Sequence, residues 1–227
     1  MSEMIRKTIL KFILIAGFAM PAVAKEYINP PFSMIDVSMV VDEGRVYAFT
    51  GTDMFPFPEE GDGKFHMPYW RIFSSTDLIH WEFESYIDPA VTYMGVSDRC
   101  WAGHGVKQDG KWYYYFSNGS KDTGVVVANS PKGPWVDPLK KPLLPNDFSP
   151  TAEYDKCVLQ DNDGRNWIVF GAHEYYLAEL DDDMISIKSE PIHLVVNGAP
   201  DSRAAKRHDA PYLHKANGLY YLSWRRP

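Results

Sequence analysis

The sequence predicts an all-β fold of the propeller type, on three observations. A strand–turn–strand unit recurs four times, the breaks fall at Asp-Gly, Asn-Gly, Gly-Pro and Ser-Pro dipeptides, and no helical period is sustained beyond the N-terminal segment. Repeats built only of strands and turns stack as blades around an axis, because a single blade cannot bury both of its faces.

The first unit runs Asp36 to Gly44 and precedes Val46-Tyr-Ala-Phe-Thr50; the second runs Trp101 to Gly110 and precedes Trp112-Tyr-Tyr-Tyr-Phe116. The third runs Asp155 to Gly164 before Asn166-Trp-Ile-Val-Phe170, and the fourth Asp209 to Gly218 before Tyr220-Tyr-Leu-Ser-Trp224. The turn glycines are 66, 54 and 54 residues apart, and each opening residue lies 8 or 9 places before its glycine. Three units therefore open on Asp and one on Trp. Equivalent positions on successive blades point at one axis, so Asp36, Asp155 and Asp209 are expected to converge on a single cavity, with Trp101 facing it.

Outer blade halves are legible as well. Trp70 to Trp81 and Val125 to Trp135 share one plan: a strand, a Ser-containing turn, then a Trp opening the next strand. Two such outer hairpins predict four-stranded blades. The long connection from Thr52 to Pro68 is expected beside the mouth of a site, with Phe55, Phe57 and Trp70 at its rim.

Bulk properties narrow the function classes. With 227 residues and 45% hydrophobic composition the chain can bury a substantial core. A formal charge of −7 argues against nucleic acid and anionic membrane as partners. Arg6 and Lys7, the apolar run Phe12 to Ala19, and Ala22-Val-Ala24 have the pattern of a secretory signal peptide. Residues 1–24 are thus expected to be removed, leaving 25–227 as one domain in a secreted or periplasmic protein. Cys100 and Cys157 open units two and three; that compartment permits a disulfide, but blade-to-blade geometry argues for two buried thiols. No Cys/His cluster has zinc spacing.

Several segments occur together in one order. They are Asp36-Val-Ser38, Met67 to Trp81, Cys100-Trp-Ala-Gly103, Asp109-Gly-Lys-Trp-Tyr113, Ser130-Pro-Lys-Gly-Pro-Trp135, Tyr154 to Gly164 and Asp209 to Lys215. This ordered set resembles the five-bladed propeller glycoside hydrolases of family 43, which include β-xylosidases, α-L-arabinofuranosidases and arabinanases. The resemblance implies that Asp36 is the general base, that Asp155 orients the acid and tunes its pKa, and that Asp209 is the acid. Inverting hydrolysis needs a base carboxylate and an acid roughly 6.5–9.5 Å apart, with water between base and sugar. An anion near the acid keeps it protonated.

The chain departs from the family pattern at two of these positions. Glu is usual where Asp209 stands, and Asp is common where His104 stands. Losing one methylene misplaces the acid by an amount that can cost about 100-fold; the neighbouring His208 is a candidate donor, but strand alternation aims it away from the side that Asp209 takes. Trp101 is expected to stack on a sugar ring or close a blade interface, and His104 to touch sugar or serve as a structural imidazole. No cofactor is expected; relatives often hold a calcium through a last-blade His, which has no counterpart here. Five blades at this spacing need roughly 270–330 residues, so the sequence is expected to hold about three and a half to four blades and to be C-terminally truncated.

The expected function is release of arabinose or xylose from plant-type polysaccharide by two carboxylates. The alternative is a non-catalytic carbohydrate-binding propeller, to which the Asp209 substitution points. A retaining fructan-hydrolysing propeller would show Asn-Asp-Pro where this chain has Asp36-Val-Ser38.

Overall fold

Strands account for nearly every regular element in the computed structural model, which describes residues 34–53, 65–195 and 209–225. The signal segment, Phe55, Phe57 and His208 lie outside these residues. The first blade is β1 (Ile35–Asp42), β2 (Arg45–Gly51), β3 (Trp70–Ser75) and β4 (Glu82–Ile87), antiparallel in that order. The second is β5 (Cys100–Gln108), β6 (Lys111–Asn118) and β7 (Asp122–Ala128), the third β8 (Cys157–Gln160), β9 (Asn166–Phe170), β10 (Tyr175–Leu180) and β11 (Ile192–Leu194). A hairpin of β12 (Asp209–Ala216) and β13 (Leu219–Arg225) begins the fourth. The expected four-strand plan fails in blade two, whose outermost strand is reduced to two isolated bridges on β7, Val127 with Val136 and Thr123 with Leu144. Pro131, Pro134 and Pro138 crowd that segment and supply no N–H for a ladder.

The hairpin turns explain the repeating glycines. Glu43-Gly44, Asp109-Gly110 and Asn217-Gly218 all have positive φ at both positions, the two-residue turn whose twist matches the flanking strands. The third hairpin differs. Gln160 pairs with Asn166, so five residues bridge β8 and β9 instead of two.

Inner strands stand side by side in chain order, with β5 against both β1 and β8, and β8 against β12. Between blades lies the core, and strand alternation divides it. On β6, Trp112, Tyr114 and Phe116 join Phe49, Trp70 and Ile72 of blade one, whereas Tyr113 and Tyr115 join Val158, Ile168 and Phe170 of blade three. One aromatic strand thus serves two interfaces. Gly105 permits the first of these to close, since a Cβ there would stand 2.6 Å from the Phe49 ring. Blade four packs Leu213, Leu222 and Trp224 on Cys157, Val169 and Tyr175.

Polar links reinforce each interface near the axis. Gly105 N–H donates to Ser38 Oγ at 2.9 Å, and Lys107 Nζ donates to Asp42 Oδ2 at 2.6 Å. Val158 N–H donates to His104 Nδ1 at 3.2 Å, and Lys215 pairs with Asp161.

Candidate active site

The inner strands of blades one, two and four are irregular at their axial ends. β1 bulges between Ile35 and Ser38, β5 between Trp101 and Gly103, and β12 between Asp209 and Tyr212. A bulge leaves residues unpaired and turns their side chains out of the regular alternation. Asp36 and Asp155 both adopt left-handed backbone, at φ 50° and 52°, two residues before the paired positions Ser38 and Cys157 of their strands. In β12 the left-handed residue is Ala210, at φ 53°. Asp209 is one residue earlier and pairs with Arg225. The expected single register is therefore corrected: Asp36 and Asp155 are equivalent, and Asp209 is offset by one. The longer turn of blade three made the count back from the glycine coincide for Asp155 and Asp209.

Despite the offset, the three carboxylates line one cleft of about 460 Å³, together with Asp53, Phe65, Met67, Trp101, Tyr154 and Arg225. A second cleft of about 380 Å³ shares Asp36, Ala102 and Asp155 with it and extends towards His104, Lys156 and Tyr212. The carboxylates feel one another. Desolvation raises Asp36 above the usual carboxylate value, Asp53 and Asp209 add to this, and Lys156 and Arg225 oppose it. Burial likewise raises Asp155; Lys156 opposes, and Asp209 and Asp36 raise it further. Asp155 Oδ2 accepts from the Ala210 N–H at 3.2 Å, tying blade three to blade four beside Asp209. Arg225 Nη1 stands 3.7 Å from Asp209 Oδ2.

Trp101 is half-buried at the cleft wall, edge-on to Phe65 and Tyr154, with its indole N–H donating to Phe65 O at 3.2 Å. Trp70 is not at the rim. It has no exposed surface, packs on Tyr114 and Phe116, and donates its indole N–H to Trp101 O at 2.7 Å. Its alternation on β3 directs it into the blade interface, so it supports Trp101 from behind and cannot touch sugar. Trp70→Ala is accordingly expected to cost about 3–5 kcal/mol of folding stability, read by denaturant unfolding; a sugar platform would leave stability nearly unchanged.

His104 lines the smaller cleft but is committed to the fold. Nδ1 accepts from Val158, Nε2 stands 3.8 Å from Cys157 Sγ, and burial with the Lys156 charge nearby pushes its pKa down to about 4. It links the inner strands of blades two and three through Val158 and Cys157. Cys100 and Cys157 are free, buried thiols. Cys157 donates towards Leu213 O at 3.6 Å.

Asp53, Phe65, Tyr154, Lys156 and Arg225 were not anticipated at the site. Asp53 and Phe65 flank residues 54–64, on the long connection predicted to border it. Tyr154 and Lys156 flank Asp155, which was the available signal. Arg225 depends on pairing across the last hairpin. Among the described residues, no group of three or more His, Cys, Asp or Glu is arranged to hold a metal ion.

Blades around one axis thus bring carboxylates from three of them into one cleft walled by aromatic rings. The chain belongs to the glycosyl hydrolases family 43, whose model matches residues 27–225. It is 30% identical over 219 residues to an arabinoxylan arabinofuranohydrolase of Paenibacillus polymyxa, a match covering 83% of this chain and 34% of that protein. It also resembles the solved α-L-arabinofuranosidase of Clostridium thermocellum, with 27% identity and a TM-score of 0.66 over 83% of this chain and 62% of that one. A β-xylosidase/α-arabinofuranosidase from a compost metagenome, solved with xylotriose, superposes with a TM-score of 0.69 at 22% identity, over 86% of this chain and 72% of that one. These likenesses bear out the five-bladed propeller class, of which the described residues supply three blades and the inner hairpin of a fourth.

Proposed function

We propose that the protein is an inverting glycosidase that releases arabinose or xylose from plant-type polysaccharide or its oligosaccharides outside the cytoplasm. The observation that carries this reading is the shared cleft, in which Asp36, Asp155 and Asp209 face one space walled by Trp101 and Tyr154. In this reading Asp36 takes a proton from water as its oxygen attacks the anomeric carbon. Asp209 gives its proton to the departing oxygen as the glycosidic bond breaks. Asp155 adds negative charge near the acid and so favours its protonated form. The two-carboxylate route requires no cofactor. Kinship with the arabinofuranohydrolase and the arabinofuranosidase supports the choice of sugar.

Aryl α-L-arabinofuranoside and β-D-xyloside, assayed with an arabinoxylan oligosaccharide and proton NMR of the first-formed anomer, test it. Release of an inverted sugar is expected; a retained anomer would refute the mechanism. The second reading, a binding propeller without turnover, is favoured by the short acid at position 209. It predicts saturable oligosaccharide binding by calorimetry with no hydrolysis on any member of the panel.

A further inference from the structure

We propose that Lys156 is a positioning residue of this site: its ammonium fastens the β5 bulge to the Asp155 segment and sets one buried positive charge beside the carboxylates Asp36 and Asp155. The kinetic part of the proposal rests on the glycosidase reading; the electrostatic part rests on the burial of Lys156 and on the cleft that it lines with Asp36 and Asp155.

Lys156 is 5% exposed, and its Nζ donates to Ala102 O at 2.6 Å and to Ser117 Oγ at 2.5 Å. Ser117 Oγ in turn donates to Ala102 O at 2.8 Å and accepts from the Asp155 N–H at 3.3 Å. Four groups thus close one network: the bulge carbonyl of β5, a hydroxyl of β6, the ammonium, and the backbone of Asp155. Ala102 and Asp155 are shared by both clefts, so this network sets the distance between their walls.

A neutral side chain could make the same two hydrogen bonds, so the charge needs its own account. An ammonium held only by a carbonyl and a hydroxyl is costly to bury. The nearby carboxylates offset only part of this cost: burial pulls the Lys156 pKa down to about 7, and Asp155, Asp36 and Asp122 of β7 act against that shift, while His104 of β5 is neutral. Asp122 is already engaged by Tyr93 and by Lys121. Asp209 and Asp53 load further negative charge onto Asp36. Among the described residues, the other cation lining the cleft, Arg225, has a side chain 74% exposed, where water and salt screen it. Lys156 is therefore the stronger brake on proton uptake by Asp36 and Asp155.

The sign follows directly. A nearby cation favours the ionised carboxylate, so removing it moves protonation to higher pH. A general base must be ionised to act, and the loss appears on the acidic limb of the pH–rate profile.

The test combines carbon-13 carboxyl NMR titration of Asp36 and Asp155 with the pH dependence of kcat, in wild type, Lys156→Met and Lys156→Arg. In Lys156→Met both titrations should move to higher pH. The rate on the acidic limb, relative to the optimum, should fall about tenfold, the equivalent of one unit. Lys156→Arg should keep both near wild type. Unchanged titrations in Lys156→Met would overturn the proposal. Should that variant not fold, nitrogen-15 lysine NMR of Asp36→Asn gives an independent reading, because coupling is reciprocal. There the Lys156 ammonium should lose its proton at lower pH than in wild type, and an unmoved titration overturns the proposal. If wild type hydrolyses no substrate, the glycosidase reading fails while the NMR titrations still decide the role of Lys156.

Discussion

Asp36→Asn is expected to lower kcat by about 10²–10⁴-fold, the range a positioned general base contributes, with sugar affinity within about threefold of wild type. Asn keeps the side chain's shape and volume, and Asp36 sits in the left-handed backbone of the β1 bulge, a conformation Asn tolerates better than most residues. The fold should therefore survive and the loss should fall on kcat alone. A group acting only in the transition state gives that pattern; one that mainly holds the sugar would raise KM instead. Steady-state kinetics paired with calorimetric binding of xylose or arabinose make the measurement. A variant that loses binding and turnover in equal measure would show that Asp36 holds substrate and is not the base.

Asp209→Ala is expected to show a loss that depends on the leaving group. A general acid matters most when the departing oxygen is a poor leaving group, so turnover of an oligosaccharide should fall about 10²–10⁴-fold. An activated aryl glycoside should fall far less. Equal losses on both substrates would remove Asp209 from proton donation. Asp209→Glu is the companion change. The Asp209 side chain is 38% exposed at an open cleft, beside the Nη1 of Arg225, so a longer acid meets no closed wall. Turnover in Asp209→Glu is expected to stay well above the Asp209→Ala level, with any loss below the roughly 100-fold that a one-ångström misplacement can cost. A collapse to the Asp209→Ala level would show that the site is built around the shorter acid.

Asp155 links these two effects. Its Oδ2 accepts from Ala210 N–H, so its carboxylate touches the strand that carries Asp209. Burial raises Asp155 above the ordinary carboxylate value, to about 6, with Lys156 opposing the rise and Asp209 and Asp36 adding to it.

The repeat, the all-β class, the inner hairpins and the convergence of Asp36, Asp155 and Asp209 were legible in the sequence, because turn chemistry and strand alternation are local. Gly44, Gly110 and Gly218 mark two-residue turns that demand positive φ, and the aromatic runs after them alternate between two interfaces. Other features were decided only when blades packed. Counting from a turn glycine cannot detect that β8 and β9 are joined by five residues, so the one-residue offset of Asp209 needed the observed pairing. Trp70 and Trp101 are both aromatic residues at strand starts, yet neighbouring blades bury the first completely and leave the second at the cleft. Lys156 reads as one more surface lysine until blades two and three close over it, and only their packing turns its charge inward, beside Asp36 and Asp155. Local sequence sets dihedral angles and which face a side chain takes; which faces are closed by a neighbour depends on contacts between residues far apart in the chain.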